Sequence, residues 1–320
     1  MTMTGKKERL DRLAELMNRD DERGVSLWQE AFRRLRRNPA AIIGAVILTA
    51  FVLVALVGPF FVPYEPKDTI GIREGLVKSG QGIIPGASAE HWFGYDHQGR
   101  DVFSRMIVGA RQTLLVGVVA TLIGLAVGAL IGGVAGAAAG LGGRWGRAVD
   151  NALMRIIDMM LALPSLLLAV SIAALLGASL STVMIAVGVV SVPVFARLLR
   201  VSMIAQANSD YVLAATSLGV RKPKIALTHI VPNSLAPVIV QATLTLATAI
   251  IEAAALSFLG LGNPDTAQPE WGVMLADAQP YLGIRPALAI FPAVAIIITA
   301  LGFTLLGEAM REALDPKLRK

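Results

Sequence analysis

Five stretches of this chain carry no Asp, Glu, Lys or Arg and are long enough to cross a bilayer: residues 38–64, 112–143, 159–196, 225–251 and 286–307. A helix needs about 20 apolar residues for that. The third run is 38 residues long and holds two spans, 153–176 and 180–199, with a tight hairpin near Gly177, Ala178 and Ser179. The fourth starts its span late, because Pro232 and Asn233 belong to its entry, and continues past Glu252 to about Leu259. The expected fold is an all-α polytopic membrane protein with six transmembrane helices. Charged residues make up only 16% of the chain, against roughly 25% in soluble domains, which speaks against a cytosolic enzyme.

The basic residues carry topology. With both termini inside, 22 of the 29 Lys and Arg fall on the cytoplasmic side: ten before Pro39, three from Arg144 to Arg155, five from Arg197 to Lys224 and four after Gly307. The positive-inside rule then places the N- and C-termini in the cytoplasm. The net charge of +6 does not point to nucleic acid, since the basic residues flank apolar runs and are not interleaved with stacking aromatics. With no cysteine there is no disulfide, thiolate metal site or cysteine nucleophile. Residues 1–39 carry too many charges for a cleavable signal peptide, so the first span is expected to be an uncleaved anchor.

These signals divide the chain into a disordered cytoplasmic tail over 1–24, an amphipathic interfacial helix over 25–39, a first span over 40–62 and an extracytoplasmic loop over 63–111. A helical core follows over 112–310, with a cytoplasmic loop at 200–232, and then a tail over 311–320. In the 25–39 segment Ser26 and Gln29 have capping-box spacing, and Leu27, Trp28, Ala31, Phe32 and Leu35 form a stripe opposite Arg33, Arg34, Arg36 and Arg37. The segment is either a helix on the anionic inner leaflet or an extension of the first span.

The loop between the fourth and fifth spans runs to about 30 residues, where the other cytoplasmic connections are short. Residues 209–233 read SDYVLAATSLGVRKPKIALTHIVPN. Ser209 is a candidate N-cap, Tyr211 to Leu218 a short helix, Gly219 a left-handed C-cap, and Pro223 the first residue of a second helix ending before Pro232. Ala214 and Ala215 give this helix, glycine turn, helix unit a bare patch for another protein.

Tyr211, Ala214, Ala215, Gly219, His229, Ile230, Pro232 and Asn233 resemble the EAA loop of importer-type ABC transporter permeases: an Ala-Ala pair, Gly four residues after it and Pro thirteen further on. The stretches HWFGYDHQGRDVFSRMIVGAR (91–111), EAAALSFLGLG (252–262) and LDPKLR (314–319) are similar to the second permease subunit of dipeptide, oligopeptide and nickel importers. The similarity covers roughly residues 28–320. It implies a type I ABC importer permease fold in a bacterial plasma (inner) membrane. It also implies three kinds of partner: a second permease subunit, two ABC ATPase subunits and an extracytoplasmic solute-binding protein. Tyr211, Ala214, Ala215, Gly219, His229 and Pro232 would then contact the ATPase. The family often has Glu where Leu213 stands, so Asp210 or an apolar contact takes over that ion pair. The chain lacks a G-x-x-x-x-G-K-[ST] loop. ATP and Mg therefore belong to the partner ATPases, and no cofactor, metal or catalytic residue is expected here.

Other features keep two readings. Gly124, Gly128, Gly132, Gly136 and Gly140 recur every four residues and form either a sliding interface or static packing. His91, Asp96, His97 and Asp101 suggest either metal ligation or an external gate and docking segment for the binding protein. Glu252, inside the fifth span, either lines the translocation path and meets a peptide amino group or is hydrogen-bonded between helices. Asp158 is expected to pair with Arg155, and Pro164 and Pro193 to kink their spans. Two further functions stand beside a peptide importer: a nickel or other small-solute importer, and an ion-coupled carrier or channel, which would need more intramembrane charge than Glu252 and Asp158 supply.

Overall fold

The structure is a computed structural model that describes residues 27–77, 84–265 and 267–314. The tail over 1–24, the Ser26 cap and most of the 314–319 motif lie outside the described residues. Among those described, the chain is helical, with one isolated antiparallel bridge between Tyr95 and Asp101. Five helices are long and apolar enough to cross a membrane, and a sharply bent helix pair makes a sixth candidate.

Helix α1 (Leu27–Leu35) stops before Asn38, and α2 (Pro39–Val57) begins afresh. The Asn38 side chain accepts from the N–H groups of Ala40 and Ala41 at 2.9 and 3.3 Å, and Pro39 fills the first helical position, where no N–H is needed. The arginine-rich helix is thus a separate element and not an extension of the first span. It packs on the last helix, and Asn38 Nδ2 donates to Glu312 at 3.2 Å.

Helix α3 (Val102–Leu141) starts three turns earlier than the expected boundary at Gln112. Asp101 caps it, accepting from the Ser104 N–H at 2.7 Å. Arg105, inside its first turn, is buried and paired, so its charge does not mark the end of the helix. At 40 residues, α3 is about 60 Å long, and its glycine ladder packs on α6 (Leu180–Ala207). A Cβ on Gly124 would fall 2.7 Å from Ser191 Cβ, one on Gly128 2.6 Å from Phe195 Cβ, and one on Gly140 2.9 Å from Ala207 Cβ. The ladder is therefore occupied by packing within the chain.

The third span is not the single helix expected over 153–176. It consists of α4 (Gly143–Leu161) and α5 (Ser165–Leu176), bent by 92° across Ala162, Leu163 and Pro164. Pro164 has no N–H to continue the helical ladder, so the bend falls there. Gly177, at φ 88°, and Ser179, which accepts from the Thr182 N–H at 3.1 Å, then turn the chain into α6. Helix α6 runs through Pro193 and past the expected end at 199 to Ala207. Arg197 and Arg200 are held by carboxylates of α4, so they continue the helix instead of ending it. Asp158 pairs with Arg197 at 2.5 Å across the two helices, not with Arg155.

Beyond the loop described below come α9 (Val231–Phe258), α10 (Trp271–Ala278) and α11 (Ala287–Leu314). Two apolar clusters sit toward the end of the bundle where Gly177 and α10 lie. One gathers Phe51, Met106, Ile250, Trp271 and Phe303; the other gathers Val116, Ala169, Ala173, Ala186 and Ala253. A third, at the opposite end, gathers Phe195, Leu199, Met203, Val212, Ile225, Ile230 and Val238. The Trp271 indole N–H also donates to the Met106 carbonyl at 2.9 Å, pinning α10 to the start of α3.

Candidate coupling site

Helix α7 (Asp210–Ser217) is eight residues of the 209–233 loop. Ser209 stands at its N-cap position, but its hydroxyl donates back to the Gln206 carbonyl at 2.6 Å, closing α6 instead of capping α7. The far end is a Schellman turn. Val220 N–H reaches the Ala215 carbonyl at 3.1 Å, Gly219 N–H reaches Thr216 at 3.0 Å, and Gly219 takes φ 73°. Only a residue without a Cβ adopts that left-handed backbone without cost.

Helix α8 (Lys222–Ile225) follows, with Pro223 in its first turn. It does not end before Pro232 as expected. A π-turn over Ala226–Ile230 joins it to α9, and Lys222–Phe258 forms one continuous span. The Val231 N–H bonds the Ala226 carbonyl five residues back. This wider turn accommodates Pro232, whose ring crowds the carbonyl four residues earlier in an ordinary helix.

Val212, Ile225 and Ile230 are buried under the loop, and Ala215 and Val220 pack beside them. The outer face of α7 is left bare, with Leu213 68% and Leu218 84% exposed. Ala214 is exposed there, whereas Ala215 is half-buried, so the expected two-alanine patch narrows to one alanine between leucines. Asp210 is exposed in the first turn of α7. The Tyr211 hydroxyl donates to Gln206 Oε1 at 2.6 Å, and its ring lies 6.4 Å from that of His229. His229, Pro232 and Gly219 are exposed. The structure thus gathers the six expected coupling residues on one unit at one end of the bundle, five of them at its surface.

Three ties around this unit were not singled out in the sequence. Lys222 Nζ donates to the Leu141 carbonyl, the last of α3, at 2.7 Å. The Arg200 guanidinium grips both oxygens of buried Asp150 on α4, one of them at 2.6 Å from Nη2. A Cβ on Gly146 would fall 2.1 Å from the Ala138 carbonyl oxygen, so α4 lies directly on the end of α3. The signal for Asp150 and Arg200 was their opposite charge at the ends of two adjacent apolar runs.

At the other end, the four residues read as either metal ligands or a gate divide among different partners. His91 Nδ1 meets Asp101 at 2.8 Å, and the His91 ring lies against Tyr64 and Tyr95. Asp96 pairs with Arg100 at 2.6 Å and accepts from the backbone of Gln98 and Arg100. His97 stacks on Tyr281. Arg100, 2% exposed, also reaches Asp277 at 3.5 Å, and burial pushes the Asp277 carboxyl above the usual range. This is a folded cap of buried ion pairs.

Glu252 is half-buried on α9, its carboxyl in hydrogen-bonding reach of Ser165, the first residue of α5 after the bend. A second carboxylate carries no signal in the sequence. Glu270 is 3% exposed, accepts from the Ser257 hydroxyl at 2.7 Å, and burial raises its pKa to about 7.

Residues 128–320 match the family described as binding-protein-dependent transport system inner membrane component, and residues 26–73 match the N-terminal TM domain of oligopeptide transport permease C. The chain is 44% identical over 300 residues to the dipeptide transport system permease protein DppC of Alkalihalophilus pseudofirmus, covering 94% of this chain and 93% of that one. It is 42% identical to the glutathione transport system permease protein GsiD of Shigella flexneri, covering 91% of each. Among solved structures, the methionine ABC transporter MetNI in inward facing conformations aligns with a TM-score of 0.54 at 17% identity. That alignment covers 66% of this chain and 96% of the other, a likeness of fold.

Proposed function

Because the chain belongs to the inner membrane components of binding-protein-dependent transport systems, and so is an ABC importer permease, we propose that it carries dipeptides and short oligopeptides inward across a bacterial plasma membrane. Two relatives alike over nine-tenths of the chain, whose names specify a dipeptide and glutathione, support a peptide substrate. A second permease completes the pathway, a solute-binding protein delivers the peptide, and two ATPase subunits bind ATP and Mg. Both termini and the 200–232 loop face the cytoplasm, following the distribution of Lys and Arg.

The observation that carries the coupling role is the geometry of α7. A short helix is closed by a Schellman turn at its C-terminal end, its inner face packed on Phe195, Leu199 and Met203, and its outer face left as Leu213, Ala214 and Leu218. Such a helix transmits a push without bending. Leu213 replaces an ion pair with an apolar contact to the ATPase. Closure of the ATPases rocks the bundles between inward-open and outward-open arrangements. Glu252 lies on the path and takes the cationic amino group of the peptide.

The test is to express the chain with its partner subunits and measure uptake of a labelled dipeptide, with oligopeptides and nickel as competitors. ATP-dependent uptake blocked by peptides and untouched by nickel is expected, with an ATPase subunit co-purifying. Uptake driven by an ion gradient with no ATPase retained would overturn the reading.

A further inference from the structure

The three ties lead from the loop to α4 by way of the ends of α3 and α6. Lys222, at the head of α8, donates to the final carbonyl of α3, where a cation also meets the negative end of the helix dipole. Gly146 then seats α4 against that same end of α3. Arg200, seven residues before the end of α6, holds Asp150 of α4 through both carboxylate oxygens, an arrangement that fixes orientation as well as distance. Ile157, farther along α4, is buried against Val192 and Ala196 of α6.

Past Leu161 the packing changes hands. Ala162, Leu163, Pro164 and Ser165 are all exposed, and Pro164 gives no N–H to the helix. Helix α5 packs through Ala169 and Ala173 in the cluster of Val183, Ala186 and Ala253, away from the loop. In α6, Pro193 stands between the residues of that cluster and those of the loop cluster, Phe195, Leu199 and Met203.

We infer that the 209–230 loop and α4 move as one rigid body, and that Ala162–Pro164 is the hinge at which the stroke of the ATPase reaches the third span. Asp150, Arg200 and Lys222 are positioning residues: they carry displacement and touch neither ATP nor peptide. The inference rests on the reading of the loop as the ATPase contact. It adds where the motion goes, into the bend that faces Glu252 through Ser165.

The absence of cysteine makes the test direct. Spin labels are placed pairwise in the assembled transporter at Trp145→Cys on α4, Leu227→Cys on the loop and Leu175→Cys at the far end of α5, all exposed positions. Between nucleotide-free and ATP-trapped states, the 145–227 distance is expected to hold within about 2 Å while the 145–175 distance changes by more. In parallel, Asp150→Asn and Arg200→Met are each expected to lower peptide taken up per ATP hydrolysed by about tenfold. The exchange Asp150→Arg with Arg200→Asp is expected to restore much of it. A 145–227 distance that changes as much as 145–175, or single variants with wild-type coupling, would overturn the inference and leave the permease assignment standing. A wild-type chain with no ATP-driven uptake would overturn the coupling reading and this inference with it.

Discussion

Gly132 of α3 lies so close to Ala196 of α6 that a Cβ on it would fall 2.2 Å from the Ala196 carbonyl oxygen. The neighbour is backbone, which cannot swing aside, so the two helices must separate to admit a methyl group. Between helices in lipid, where apolar burial gives no advantage over contact with acyl chains, such close approach is the main attraction.

Gly132→Ala is therefore expected to destabilise the chain by about 1–3 kcal/mol, the usual cost of overpacking. Gly133 is the internal control: a Cβ there meets nothing nearer than 3.8 Å, and Gly133→Ala should be neutral or slightly stabilising through helix propensity. Thermal unfolding in detergent separates the two. Equal melting temperatures would mean that the ladder is not a packing surface.

Gly219 presents the opposite case. No atom lies within 4 Å of the position a Cβ would take, yet φ is 73°. The penalty for a side chain is conformational and amounts to about 1–2 kcal/mol. Gly219→Asn should be close to wild type in uptake, because Asn tolerates the left-handed region. Gly219→Val should abolish uptake while membrane insertion stays intact. Equal uptake by the Asn and Val variants would show that the turn does not set the position of α7.

Much of this architecture was legible because each feature rests on local chemistry. The hairpin at Gly177–Ser179 and the left-handed glycine at 219 both follow from backbone demands of single residues. The boundaries of α3 and α6 are hidden for a common reason. A charge reads as the end of a span, but Arg105 pairs with Asp96 just before its own helix, Arg197 and Arg200 pair with carboxylates on α4, and a paired charge no longer marks an end. The 92° bend is not legible in the sequence, because an apolar run looks the same whether a proline kinks it or breaks it. The buried carboxyl of Glu270 was likewise invisible, since nothing near it in sequence announces Ser257 as its partner.

Glu270 gives a pH prediction whose sign follows from its burial. With its pKa raised to about 7 from an ordinary 4.5, the folded chain keeps a proton there that the unfolded chain has released. The contribution is fully present below about pH 4.5 and is lost as pH rises through about 7. Stability should fall between pH 5 and 8, by up to about 3 kcal/mol from this group. Glu270→Gln keeps the shape without the charge, so it should match wild type at pH 5, exceed it at pH 8 and show a flatter profile. A wild-type melting temperature that rises over this range through Glu270 would contradict the account.

Ala214 and Ala215 are adjacent in sequence and face different neighbours. Ala214 is exposed on the outer face of α7, while Ala215 packs with Val212 and Val220 over the loop core. Arg is a good helix former, so Ala214→Arg should leave the loop folded and act only on what docks against it. Retention of the ATPase subunit during purification is expected to fall about tenfold or more, the loss typical of a central interface residue, with the protease resistance of the loop unchanged. Ala215→Arg should lose both, since a guanidinium cannot be buried beside Val220 without a partner. Wild-type ATPase retention by Ala214→Arg would move the docking surface off this face of α7. Wild-type protease resistance in Ala215→Arg would show that the loop is held by the polar tie of Lys222 to α3 and not by its apolar core.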